Sequence, residues 1–182
     1  MTSDHDARRQ KLLDFVREHA SKEPDALKEL LTEGHEQLVS AISALSTEQA
    51  AWKPAPDEWS ALEAMSHITE VKEGVTKTCV ALAAGEAPPP VEEALVAEWI
   101  AKGYSGEPFA SPAAAVEAAE AAHAAMLAFL ESISDATSRS ATHDHPFVGP
   151  MNCVQWAVFQ RAHDADHASQ VTDVQNAEGF PS

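Results

Sequence analysis

Apolar residues recur at three- and four-residue steps through four long stretches of the chain, the spacing of one buried helix face. The first stretch opens near Pro24, with Asp25 and Glu29 in its first turns, and carries Leu27, Leu31, Leu38, Ile42 and Leu45. The second follows Ser60-Ala61-Leu62-Glu63, a capping-box signature, and places Ala64, Ile68, Val71, Val75, Cys79 and Leu82 on one stripe. Ser111-Pro112 starts the third, with Ser as cap and Pro at the first helical position. Val116, Ala119, Met126, Leu130 and Ile133 then face inward. The fourth runs from about Met151 to Gln175, with Trp156, His163, His167, Val171 and Val174 on one face. No segment alternates with period two over strand length.

The segments between read as connectors. Trp52-Lys53-Pro54-Ala55-Pro56-Asp57-Glu58-Trp59 cannot continue a helix through its two prolines. Gly85 to Pro90 is a turn, and Thr142 to Pro150 is a loop. Asp4 to His19 reads as a short helix outside the bundle, and Val91 to Lys102 as a short connecting helix stopped by Gly103. The expected fold is therefore all-α: a four-helix bundle with an extra short N-terminal helix and a short connecting helix. Residues 1–23 form the N-terminal extension, 24–176 the bundle and 177–182 a tail.

Composition supports helices and restricts partners. The chain has 182 residues, 45 % of them hydrophobic but only 6 % aromatic, with 7 glycines. Such Ala-, Leu- and Glu-rich segments favour helices packed through small side chains. With 29 acidic against 12 basic residues the net charge is −17, which argues against nucleic acid and against an anionic membrane surface. The N-terminus MTSDHDARRQ lacks the apolar core of a signal peptide, and no uninterrupted apolar run approaches the roughly 18 residues of a membrane span. A cytoplasmic location is expected. The only cysteines, Cys79 and Cys153, form no disulfide framework or zinc-finger spacing and are expected to be buried thiols. A helix start would lower the pKa of Cys153, which by helical rise lies roughly 15 Å from His163, too far to share an ion with it.

The chemistry concentrates in histidine. His163-Asp164-Ala165-Asp166-His167 sets two imidazoles at i and i+4 on one helix face, so both can reach one ion. His67 holds the equivalent inner region of the second helix, beside Ile68 and Val71. Three neutral imidazoles from two helices suit one divalent ion, zinc or nickel above all, and leave coordination positions open. Asp164 and Asp166 are candidate acceptors that would orient a ligand histidine, or solvent-facing residues. A zincin helix is excluded because Asp164 stands where that motif needs Glu. A di-iron carboxylate centre is excluded because Glu120-Ala121-Ala122-His123 is its sole matching motif, and the His163 helix supplies none.

Two separated runs carry a family resemblance. Lys53-Pro54-Ala55-Pro56-Asp57-Glu58-Trp59-Ser60, with His67 seven residues later, resembles the DinB/YfiT-like family. So does His145-Pro146-Phe147-Val148-Gly149-Pro150-Met151-Asn152, leading through Trp156 into His163-x-x-x-His167-x-x-Gln170-Val171. The likeness spans about Leu27 to Val174. It implies a four-helix bundle with a divalent metal on His67, His163 and His167. Related members act with bacillithiol, mycothiol or glutathione as transferases, or as a mycothiol-dependent isomerase. The isomerase branch has a glutamate among its ligands, so an all-histidine triad is closer to the YfiT-like branch. The resemblance thus implies a low-molecular-weight thiol cosubstrate and a small electrophile, and is compatible with a homodimer. No catalytic residue is assigned.

Three readings remain open on the residues alone: a metal-dependent thiol transferase or isomerase, a metal-binding bundle with a binding or stress-response role, and a bundle whose histidines are plain core residues. His35 and His123 are expected in core or boundary packing, and His145 is a candidate for the pocket mouth. Trp59 and Trp156 are expected to close the bundle ends.

Overall fold

The computed structural model describes residues 2–89, 107–134, 137, 139–145 and 148–182. Its helices are α1 (Thr2–His19), α2 (Pro24–Ser43), α3 (Thr47–Ala51), α4 (Ala61–Ala83), α5 (Pro112–Ser132) and α6 (Cys153–Gln175). The connecting helix expected over Val91 to Lys102 lies outside the described residues.

Local capping chemistry sets the helix starts. Ser60 and Glu63 form the full capping box of α4, and the Ser111 hydroxyl accepts from the Ala114 N–H at the start of α5. The short α3 carries no apolar stripe. Its signal is a second capping box, Ser46 with Gln49. Helix α6 begins at Cys153 rather than Met151, because Asn152 takes the cap position and accepts from the N–H groups of Val154 and Gln155 at 3.1 and 3.0 Å. Met151 instead ends a short antiparallel pair, β1 (His143–His145) with β2 (Gly149–Met151), in a segment expected to be a loop. Three-residue strands are too short to show an alternating pattern, and Gly149 closes the pair with φ +91°.

The extension and tail are both tied to the bundle. Val16 of α1 is 2 % exposed within the core cluster that includes Val154 and Phe159 of α6. Phe180 packs edge-on against Trp52, and the Gln49 amide donates to Pro181 O at 3.1 Å. Val71 and Val116, expected on inner stripes, are only partly buried against the core.

Four helices, α2, α4, α5 and α6, enclose two apolar clusters. One holds Leu31 of α2, Val75 of α4, Met126 of α5 and Phe159 of α6; the other holds Leu38, Ile68, Ala119 and Ala168 of the same helices. Their order along each helix shows that α2 and α6 run one way, and α4 and α5 the other. Parallel α4 and α5 place the end of α4 and the start of α5 at opposite ends of the bundle. Between the clusters every helix contributes a buried polar residue: His35 from α2, Lys72 from α4, His123 from α5, Gln160 and Asp164 from α6.

One described helix, α5, is long and apolar enough by length and composition to cross a membrane, although no uninterrupted apolar run announces it. Here Ala115, Ala119, Ala122, Met126 and Leu130 of that helix are buried in the bundle core, and Glu117, Glu120 and Glu131 are exposed.

Asn152 satisfies two backbone donors at the start of the helix that carries two candidate ligands. Asn152→Ala should therefore lower unfolding free energy by roughly 1 kcal/mol, measured by urea denaturation; an unchanged midpoint would count against this role.

Candidate metal centre

Helix α4 supplies His67 and helix α6 supplies His163 and His167, and the two helices pack directly against each other. One nitrogen from each ring can be chosen so that all three lie within 4.8 Å of one another. His163 and His167 face each other through their Nε2 atoms at 3.1 Å. Two nitrogens held about 2.0–2.1 Å from one tetrahedral ion stand roughly 3.3 Å apart, so this edge is already close to the length a shared cation requires. The ring of His67 lies 5.3 Å from that of His163 and 5.1 Å from that of His167, at steep angles to both.

The hydrogen bonds set the protonation pattern. His167 Nδ1 lies 2.7 Å from Gln170 Oε1, an amide oxygen that only accepts, so Nδ1 carries the proton and Nε2 presents its lone pair. Two lone pairs facing at 3.1 Å repel unless a proton or a cation lies between them. His163 Nδ1 is buried with no hydrogen-bond partner. These features fit a three-nitrogen cation site.

Burial keeps the rings neutral, the form that ligates a metal. It is the main cause that lowers the pKa of His67 to about 4, aided by the neighbouring His167. Burial likewise holds His163 well below the usual value, with smaller contributions from His167, His67, His145 and Lys72. His167 is lowered by burial against the opposing hydrogen bond to Gln170.

Several surrounding residues behave differently from the sequence expectation. Asp164 orients no histidine: its Oδ2 pairs with Lys72 Nζ at 2.8 Å and its Oδ1 accepts from Gln160 at 2.9 Å. The residue that orients His167 is Gln170, whose i+3 spacing on the same helix was the available signal. Trp59 is also a wall of the site, with its ring parallel to His167 at 5.8 Å and edge-on to His67 at 5.1 Å. Trp156 packs beside His143 and His145, and its indole N–H donates to His143 O at 3.3 Å. His145 also packs on Phe159, centroids 4.5 Å apart, and Phe159 stacks on His163 at 6.0 Å. Burial lowers the His145 pKa to about 4.

His35 and His123 stand apart from the triad, stacked on each other with centroids 4.1 Å apart and 11° between planes. His35 Nε2 lies 3.2 Å from Glu120 Oε2, and His123 Nε2 lies 3.4 Å from Thr32 Oγ1. Parallel stacked rings direct their lone pairs past one another, so these two do not form a second cation site. Cys153 differs from the lowered thiol expected at a helix start, because burial pushes its pKa up. Cys79 is pushed up more strongly by burial, and its thiol donates to Cys153 O at 3.2 Å.

Among the described residues, two of the recesses lie along the bundle. The larger, about 660 Å³, lies between α2 and α6 and is lined by helix-surface residues such as Glu33, Gln37 and Ser169, with no imidazole. The smaller, about 320 Å³, is bounded by Pro54, Trp59, Gln170 and Val174. Only the smaller one touches residues that bear on the triad.

Residues 30–171 match the model of the DinB superfamily, and the chain belongs to that superfamily. Its fold is similar to that of YfiT from Bacillus subtilis, described as a probable metal-dependent hydrolase with an unusual four-helix bundle topology. The two are 16 % identical, with a TM-score of 0.64 over 87 % of this chain and 89 % of that one, a likeness of fold. No curated protein sequence matches the chain.

Two outcomes test this geometry. Gln170→Leu should weaken zinc affinity by about ten- to a hundredfold in a competition titration with a coloured chelator, while helical content stays unchanged. Acid should destabilise the metal-free protein through neutral buried imidazoles: burial first, then His35 and Lys72, lowers His123 to about 3, and His35 is lowered by burial too. The unfolded chain, with histidines near 6.5, then binds protons before the folded one. Stability is complete above about 6.5 and declines toward pH 3, by up to about 1.4 kcal/mol per pH unit for each such group. Thermal midpoints from pH 7 to 4 read this slope, which His123→Gln should flatten.

Proposed function

We propose that the protein is a metal-dependent enzyme that binds one divalent cation, zinc or nickel, through His67, His163 and His167. The observation that carries this reading is the pair of Nε2 atoms facing at 3.1 Å, one of them bared by the Gln170 hydrogen bond, with the His67 ring beside both. When bound, such an ion supplies Lewis acidity that makes a thiol or water nucleophilic near neutral pH.

The reaction we favour is transfer of a low-molecular-weight thiol to a small electrophile. The DinB membership and the all-histidine triad support it, and bacillithiol, mycothiol and glutathione are the candidate thiols. A carbon–sulfur bond forms, the leaving group departs with its electron pair, and the thiol proton passes to solvent. Within the chain, His67 and His163 hold position from two helices, Gln170 fixes the His167 tautomer, and Trp59 covers one side of the rings. The recess of about 320 Å³ against Trp59 and Gln170 is of small-molecule size. Hydrolysis is the second reading, supported by the description of YfiT, with water replacing the thiol as nucleophile.

Untagged protein should contain one zinc or nickel per chain by elemental analysis, and His67→Ala, His163→Ala and His167→Ala should each lose most of it while remaining helical. Loaded protein should conjugate 1-chloro-2,4-dinitrobenzene with at least one of the three thiols. Ester cleavage without thiol consumption would replace the transfer reading by hydrolysis, and metal-free wild type would overturn both.

A further inference from the structure

The ligand histidines come from two helices, so their meeting depends on how α4 and α6 are aligned lengthwise. Three rungs define that alignment as antiparallel. Cys79 meets Cys153 near one end, Lys72 meets Asp164 in the middle, and His67 meets His163 and His167 beyond it. Lys72 lies five residues after His67, about 7.5 Å of helical rise, and Asp164 directly follows His163.

Apolar packing between these helices is non-directional and resists a lengthwise slip only through shape. The buried residues they bring to the core range from Ala61, Ala64, Ala157 and Ala168 to Met65, Ile68, Val158 and Phe159. The middle rung is different. The side chains of Lys72 and Asp164 are 3 % and 2 % exposed, and their charged atoms lie 2.8 Å apart. Both carboxylate oxygens are engaged, one by Lys72 and one by Gln160, itself fully buried. A slip by one turn, about 5.4 Å, would leave two buried charges without partners. The same slip would carry His67 more than twice a metal–nitrogen bond length from its place.

We propose that Lys72 and Asp164 are positioning residues that set the lengthwise register of α4 against α6 and so bring His67 to His163 and His167. This rests on the metal reading above for its functional consequence, but the register itself is measurable without metal. A buried ion pair contributes little net stability compared with well-packed apolar residues, whereas a single buried polar contact is an attested way to fix helix register.

The double variant Lys72→Met with Asp164→Leu separates register from stability. We expect it to melt at or above the wild-type temperature, to lose roughly tenfold or more in Co²⁺ affinity, and to show an altered visible Co²⁺ spectrum. In the metal-free state, nuclear Overhauser cross-peaks between the His67 and His167 ring protons should be present in wild type and weakened or absent in the variant. Wild-type cross-peaks together with wild-type Co²⁺ affinity in the double variant would overturn the proposal. Should that variant not fold, Lys72→Met with Asp164→Asn, which removes the cross-helix contact but leaves an acceptor for Gln160 within α6, is read in the same two ways with the same criteria. If wild type binds no Co²⁺, the metal reading fails, and the cross-peaks alone still decide whether the pair sets register.

Discussion

A charge placed inside a protein must be paired, and in this bundle that requirement falls on Lys72 and Asp164, buried 2.8 Å apart between two separate apolar clusters. The pair belongs to a polar layer to which all four long helices contribute. Hydrophobic burial above and below the layer supplies the driving force for assembly. The layer supplies direction, because a polar group tolerates only those alignments that give it a partner. On α4 and α6 the layer lies directly beside the ligand histidines, so the constraint that orders the core also orders the site.

The site takes its character from the same interior. Burial keeps the imidazoles neutral, which readies them for a cation and makes them costly to protonate. Gln170 selects which nitrogen of His167 is bare, and Trp59 shields two of the rings. Part of this site is preorganised: the facing nitrogens of His163 and His167 are already near the spacing that one ion demands.

The four long helices were legible because amphipathic periodicity and capping residues act locally. Ser60 with Glu63, and Ser111 before Pro112, marked two helix starts correctly. The i, i+4 histidine pair was legible for the same reason, since helical geometry alone puts His163 and His167 together. Other features were not. Asn152 displaced the start of α6 by two residues, and the strands around Gly149 are too short to carry a pattern. Buried Lys72 sits beside Val71 in sequence, and the stripe favoured the apolar neighbour over the lysine that the core admits.

The chain by itself determined which four long segments become helices, which residue types line them, and that imidazoles replace aliphatics on two inner faces. Each of these follows from interactions within a few residues. Tertiary structure decided the rest: that α4 runs parallel to α5 and antiparallel to α6, that Asp164 pairs with Lys72 rather than a histidine, and that Trp59 lies against the triad. These outcomes depend on side chains tens of residues apart competing for one interior. Neighbouring positions carry no record of which distant partner wins, because that choice is made by burial and charge pairing across the assembled core.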